Sequence, residues 1–454
     1  MPADDEDRAR WLPLLPAAPI RIAPPAARPA GSPPLPGGSS GAGEGFAWGV
    51  ASSAFQAEGG DVPNDWVAAA RAGRVPANPG NGFWERAEDD FRLVAGLGIG
   101  HYRLSIEWSR VEPESGRFDE RAIDRYRAVC DGARAAGLVP WVNLFHFTHP
   151  LWFAERGGFL DTRNHPAFLR YVERLGRALV PHAAHFHVSN ESMVYVLASY
   201  FLGENPPFLR DPAAAFAMTR HVLVLHADAY RILKGLEPQP TVATIEVYLD
   251  PRAEDPADEG QRAAAARFDA WYHGTLLEAL ATGWIRAPQR EPEEVPHLRG
   301  ALDLYGLNFY SSTSFGAAGP GTFSDRPDAP RDALGRAVHP GGLEAGLLRV
   351  ARALPGVPLL VTENGCPTGD ETFRIRYIAA HLAALDRARR QGAPVGGYFH
   401  WTAVDNYEWR HGFGPARFGL VGFDPHTGAR AVKASGRWLA EVIRDGVLDP
   451  ARVP

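Results

Sequence analysis

Two glutamates stand at the ends of short apolar runs. Glu191 follows 185–190 (HFHVSN), and Glu363 follows 357–362 (VPLLVT). Two carboxyl groups flanking one bond are the equipment of glycoside hydrolysis. One is protonated and assists the leaving oxygen; the other is ionised, as nucleophile or as base for water. A cation beside Glu363 would hold it ionised, and Arg103 is the arginine placed to do so. Glu191 would need a raised pKa, from poor solvation or from the charge of Glu363. A separation of about 5 Å would mean a covalent intermediate and retention, and about 6.5–9.5 Å would mean inversion.

Other polar and aromatic residues end similar runs. Gln56 and Glu58 follow the first, Glu107-Trp108 end the second, and Asn143, His146 and His149 belong to the third. Asn190 precedes Glu191, Asn308 and Tyr310 end the sixth, and Asn364 follows Glu363. Trp401, Asp405, Asn406, Glu408 and Trp409 follow the eighth. Amides and carboxylates suit sugar hydroxyls, and indole faces suit the C–H faces of a pyranose. A phosphate cradle with its Gly-rich loop and lysine is missing. His182, His185 and His187 are the nearest approach to a metal-ligand cluster, but nothing nearby completes a site. His185 and His187 read as core or pocket-lining histidines.

The elements that must carry these residues alternate. Eight β-like runs, at 46–54, 101–107, 139–145, 185–190, 241–247, 302–308, 357–362 and 396–401, precede longer segments with helical spacing, such as Ile123, Tyr126, Cys130 and Ala133. That alternation predicts an α/β fold, a single (β/α)8 barrel, with chemistry at the C-terminal ends of the strands. In such a ring the ends of strands four and seven face each other across the mouth, which makes Glu191 and Glu363 the natural pair. The Gly-, Pro- and Ser-rich stretch 313–341 reads as a long loop after strand six. Residues 1–45 hold ten of the 40 prolines and read as an extended or disordered arm before the barrel domain at 46–454.

Composition narrows the classes further. The 454 residues carry a net charge of −6, so there is no basic footprint for nucleic acid. No apolar run is long enough to span a membrane. The acidic start (Asp4, Asp5, Glu6) and three prolines within 11–20 do not make a secretion signal, so a cytoplasmic enzyme is expected. Lys234 and Lys433 are the only lysines among 47 basic residues, which restricts Schiff-base chemistry to those two. Cys130 and Cys366 cannot build a disulfide framework, and Cys366 reads as a passive side chain. Glu107 reads as half of a structural ion pair with a neighbouring arginine.

In combination and order, FAWGVASSAFQAEGG (46–60), YRLSIEWSR (102–110), NLFHFTHPLWF (143–153), SNES (189–192), YGLNFY (305–310), LLVTENG (359–365), GYFHWTAVDNYEWRHGF (397–413) and RFGLVGFD (417–424) resemble the family 1 glycoside hydrolases, the β-glucosidase and β-galactosidase type. IEWSR and the segment after Glu58 look closer to the archaeal branch. The resemblance spans about 46–445. It implies a retaining exo-β-glycosidase acting on terminal β-glucosyl, β-galactosyl or β-fucosyl residues of a small glycoside or oligosaccharide. It implies Glu363 as nucleophile and Glu191 as acid/base. Asn190 would contact the sugar 2-hydroxyl, and Tyr310 and Arg103 would hold Glu363. Gln56, His146, Asn308, Glu408 and Trp409 would bind the sugar, with Trp401 as the stacking platform. It implies no metal or cofactor, and members are often homo-oligomers.

Two positions depart from the family pattern. Ser192 stands where the family has proline, and Phe147 where it has tryptophan. The phospho-glycosidase branch carries a Ser and a Lys around 408–416; this chain has Glu408 and no lysine there, which argues against a 6-phosphorylated sugar. Two alternatives stay open: a transglycosylase using the same glutamates on a sugar, lipid or natural-product acceptor, and a catalytically inactive carbohydrate-binding relative.

Overall fold

The computed structural model describes residue 7, residues 9–22 and residues 45–454. Eight parallel strands close into a barrel. They are β1 (Ala47–Ala51), β2 (His101–Ser105), β3 (Val139–Asn143), β4 (His185–Asn190), β5 (Thr241–Val247), β6 (Leu304–Phe309), β7 (Leu359–Asn364) and β8 (Val395–Trp401). Each pairs with its sequence neighbours, and β8 returns to β1 with Gly397 opposite Ala47 and Trp401 opposite Ala51. All eight expected strands are present, each within a few residues of its predicted bounds. The main helices are α1 (Phe83–Ala95), α2 (Glu120–Ala135), α3 (His165–Leu179), α4 (Pro212–Lys234), α5 (Thr275–Thr282), α6 (Pro340–Ala353), α7 (Glu371–Arg390) and α8 (Ala434–Asp445).

Strand periodicity sorts side chains between two cores. On β2, Tyr102 and Leu104 join the large core between strands and helices. The alternate residue Arg103 enters the barrel interior and reaches across it to Glu363 on β7. Inside the barrel, Trp141, Ala47, Ala243, Leu304, Leu360 and Phe399 make a separate cluster. His185 and His187 stack on Trp141, with ring centroids 4.3 and 5.5 Å away. Burial lowers the His185 pKa to about 4 and holds His187 well below the usual histidine range, so both are neutral core rings. Helix starts follow local chemistry. Asp119 and Asp370 accept backbone N–H groups at the first turns of α2 and α7, and three arginines crowd the last turn of α7.

Two regions differ from expectation. In 313–341, Ser312–Gly316 and Gly319–Phe323 form a hairpin, and the first of these strands also pairs in parallel with Pro251–Ala253. The Gly- and Pro-rich composition masks strands whose pairing partner lies some sixty residues upstream. Of the expected arm, residues 9–22 pack on the barrel; residues 1–6, 8 and 23–44 lie outside the described residues. Trp11 is fully buried against Val338, Cys366 and Tyr377. Ile20 and Arg21 pair antiparallel with Leu448 and Val447. Residues 9–11 are helical and the helix ends before Pro13; Leu14 and Leu15, between prolines 13 and 16, still pack against the cluster around Trp11.

Candidate active site

Local irregularities sit where the chemistry is expected. The β4–β5 register shifts between His187 and Asn190, and the β6–β7 register shifts between Leu307 and Asn308. Such shifts re-aim side chains at the rims of barrels. Glu191 leaves β4 in the left-handed region, with φ 48° and ψ 57°. A non-glycine residue there costs roughly 1–2 kcal/mol. Hydrogen bonds on both sides hold it: its N–H donates to Ile245 O at 3.0 Å, and its carbonyl accepts from Tyr195 N at 3.0 Å. The turn throws the carboxyl group back over the barrel mouth.

A buried network joins the two glutamates. Arg103, with no exposed surface, pairs with Glu363 and donates to Asn190 Oδ1 at 3.1 Å. Tyr310 donates its hydroxyl to the other oxygen of Glu363. Asn308 donates to Glu191 Oε1 at 2.7 Å and to Asn190 Oδ1 at 3.3 Å, and it accepts from Thr362 Oγ1 at 2.8 Å. Asn190 completes the chain by facing its Nδ2 to His146 Nε2 at 3.2 Å. The environments of the carboxyls are opposite. Glu363 has the Arg103 guanidinium on one oxygen and the Tyr310 phenol on the other. Glu191 accepts from the Asn308 amide and makes no ion pair among the described residues. Burial first, and then the negative charge of Glu363, push its pKa well above the usual carboxylate range.

Both carboxyls open on a cavity of 310 Å3 that is also lined by Gln56, His146, Trp401, Glu408 and Trp409. Nine of the eleven predicted site residues line it; Arg103 and Asn308 lie beneath it and hold its floor. Gln56 is fixed at both ends, accepting from Ser53 Oγ at 2.7 Å and donating to Tyr407 O at 2.8 Å. Burial, then Arg103, keeps His146 neutral. Trp409 packs between Phe55, Trp66 and His146. Burial raises the Glu408 pKa to about 7 against the opposing charge of Arg336. Gly365, directly after Glu363-Asn364, lies against the carbonyl of Trp401; a Cβ there would come within 2.0 Å of that oxygen.

The sequence model of glycosyl hydrolase family 1 matches residues 42–447. The chain belongs to family 1. It is 27% identical to β-glucosidase A of Thermotoga maritima over 89% of this chain and 98% of that one. It is also 27% identical to a bifunctional β-D-glucosidase/β-D-fucosidase of Bifidobacterium breve, over 88% and 98%. Among solved structures, a β-glycosidase from Pyrococcus horikoshii superposes with a TM-score of 0.82 at 32% identity, covering 89% of this chain and 95% of that one. This family 1 chain is therefore a glycoside hydrolase built on a (β/α)8 barrel.

Several features of this family 1 enzyme were not expected from its sequence. Arg336, from the stretch expected to be a loop, lines the cavity, pairs with Asp332 at 2.8 Å and lies over the ring of Tyr310. Glu246 sits on β5 close behind Glu191. It accepts from Ser192 Oγ and, at 3.1 Å, from Met193 N. A proline at 192 would have no hydroxyl to give it. Burial raises the Glu246 pKa to about 7. Glu107 has no arginine partner: it accepts from Thr148, Ser109 and Asn64, and Arg110 pairs with Glu58 instead at 3.0 Å. Both lysines are in ion pairs, Lys433 with Asp405 and Lys234 with Asp303, each at 2.8 Å. Cys130 and Cys366 are buried, and burial lifts both thiols to about 12. Among the described residues no cluster of three or more metal-binding side chains occurs, and no helix is long and apolar enough to cross a membrane.

Proposed function

We propose that this enzyme is a retaining exo-β-glycosidase that releases a terminal β-glucosyl, β-galactosyl or β-fucosyl residue by double displacement. The observation that carries the reading is the contrast between the two carboxyls on one cavity: Glu363 ion-paired with a buried guanidinium, and Glu191 buried with an amide as its hydrogen-bond partner. In the first step Glu363 attacks the anomeric carbon while Glu191 gives its proton to the leaving oxygen. As the aglycone departs, a covalent glycosyl ester forms on Glu363. In the second step Glu191, now ionised, takes a proton from water, and that water displaces Glu363 with net retention. Asn190 faces the sugar 2-hydroxyl, where a contact strengthens as the oxocarbenium ion develops. Trp401 supplies the apolar face beneath the ring, and Gln56, His146, Glu408 and Trp409 take its hydroxyls. The names of the relatives support the sugar classes, and a cavity of 310 Å3 suits one terminal residue.

The test is a panel of aryl β-glycosides with NMR of the first-formed anomer, which is β if the configuration is retained. Glu363→Ala should lose roughly four or more orders of magnitude in rate. Azide should rescue it as the α-glycosyl azide, since one displacement inverts. Glu191→Ala with azide should instead give the β-azide, after two inversions. Wild-type turnover in Glu363→Ala sinks the assignment. Adding sugar or alcohol acceptors to the same assay separates hydrolysis from transfer by the product formed.

A further inference from the structure

A second cavity, of 830 Å3, adjoins the sugar pocket, and Leu197, Leu202 and Leu249 line both. Its chemistry is the reverse of its neighbour's. Phe201, Phe216, Phe268, Trp271 and Phe315 face it, from the turn after β4, the start of α4, the helix Glu259–Asp269 with the turn that follows, and the hairpin after β6. Four of these five rings are only half-buried. Arg267, Arg286 and Arg290 supply its charges, and all three are exposed residues. A soluble protein rarely leaves so much contiguous aromatic surface uncovered without a ligand to cover it.

Resting on the glycosidase reading above, we propose that this cavity receives the aglycone, and that the aglycone is an extended hydrocarbon, as in a lipid-like alkyl glycoside. The sugar pocket holds the terminal residue at Glu191 and Glu363. A chain leaving the anomeric oxygen past the three leucines enters the apolar cavity directly. A second sugar there would set its hydroxyls against aromatic rings with almost no hydrogen-bonding partner, which is costly. A hydrocarbon loses nothing and gains about fourfold in affinity for each methylene taken from water. Twelve of the seventeen wall residues come from 313–323 and 259–290, outside the sugar-binding residues, so this preference belongs largely to the loops of this chain.

The experiment measures kcat/KM for methyl, hexyl, octyl and decyl β-D-glucosides below their micelle concentrations, with cellobiose and 4-nitrophenyl β-D-glucoside alongside. We expect a rise of about two- to fourfold per methylene from hexyl to decyl, with cellobiose poorer than any of these three. Ala264→Trp, which fills the cavity from the Glu259–Asp269 helix, and Phe315→Ser should each cut the decyl-to-methyl ratio at least tenfold. Because the readout is a ratio, partial loss of folded enzyme cancels. A series flat within about twofold, on enzyme that cleaves the 4-nitrophenyl glucoside, overturns the cavity assignment alone. Failure on the 4-nitrophenyl glycosides of all three sugars overturns the glycosidase reading instead.

Discussion

At the scale of single residues, the candidate site sets two like carboxyls in unlike surroundings. Arg103 and Tyr310 bond the two oxygens of Glu363; burial shuts water away from Glu191 and raises its pKa. Glu246 adds a second influence on Glu191. Glu363 and Glu246 raise the pKa of Glu191, while the Asn308 amide and Arg103 lower it. Glu246 itself titrates near 7, so its charge appears as the pH passes neutrality and helps Glu191 keep its proton. Glu246→Gln removes that charge. The basic limb of the kcat/KM profile, which reports the loss of the acid's proton, should move to lower pH in this variant. A limb that stays in place would show that Glu246 serves only to hold Ser192 and Met193. Glu191 and Glu363 were legible in the sequence because both follow apolar runs that could only be strands. Glu246 was not, because TVATIEV reads as an ordinary buried strand and its partner Ser192 is 54 residues away.

At the scale of elements, the eight strands were legible because each is a compact apolar run followed by a helical period. The pieces between β5 and α6 were not. The hairpin of Ser312–Gly316 and Gly319–Phe323 takes its stability from pairing with Pro251–Ala253, a non-local contact that local composition does not encode. Arg336 was hidden for the same reason. The join between β7 and β8 is tighter still. Gly365 lies against the carbonyl of Trp401, so Gly365→Ala should displace either the strand that carries Glu363 or the Trp401 indole. A misplacement of about 1 Å costs on the order of 100-fold in rate. Hydrolysis of 4-nitrophenyl glucoside would show that loss while the circular dichroism spectrum stays that of the wild type. Trp11 acts at the same end of the barrel, burying its ring beside Cys366 and Tyr377. Trp11→Ala should lower stability by about 3–5 kcal/mol, read by chemical denaturation.

At the scale of the whole molecule, buried titratable groups set opposing pH dependences. Eleven histidines are held below their ordinary pKa, with burial the largest cause for each. Each gives stability that is complete above the unfolded value near 6.5 and lost as pH falls towards its folded value. Among the described residues six carboxyls are held above theirs, again with burial the largest cause. Their contribution is complete at low pH and lost as pH rises through the folded value, which for Glu58, Glu246 and Glu408 is about 7. Between about pH 5 and 7 the two sets oppose each other, and the histidines are more numerous. The melting temperature should therefore fall on acidification from pH 7 to 5; a rise over that interval would show that the carboxyls dominate.

The closing seam of the barrel bears on how the molecule is made. β1 finds one of its two partners only in β8, and Ile20–Arg21 finds its partner in Val447–Leu448. A ribosome delivers these segments in order, so the earliest ones emerge long before the strands that satisfy their edges exist. An unpaired parallel strand is an invitation to the wrong neighbour. Whatever the nascent chain gains from its local βα units, the ring closes only once β8 has emerged to pair with β1.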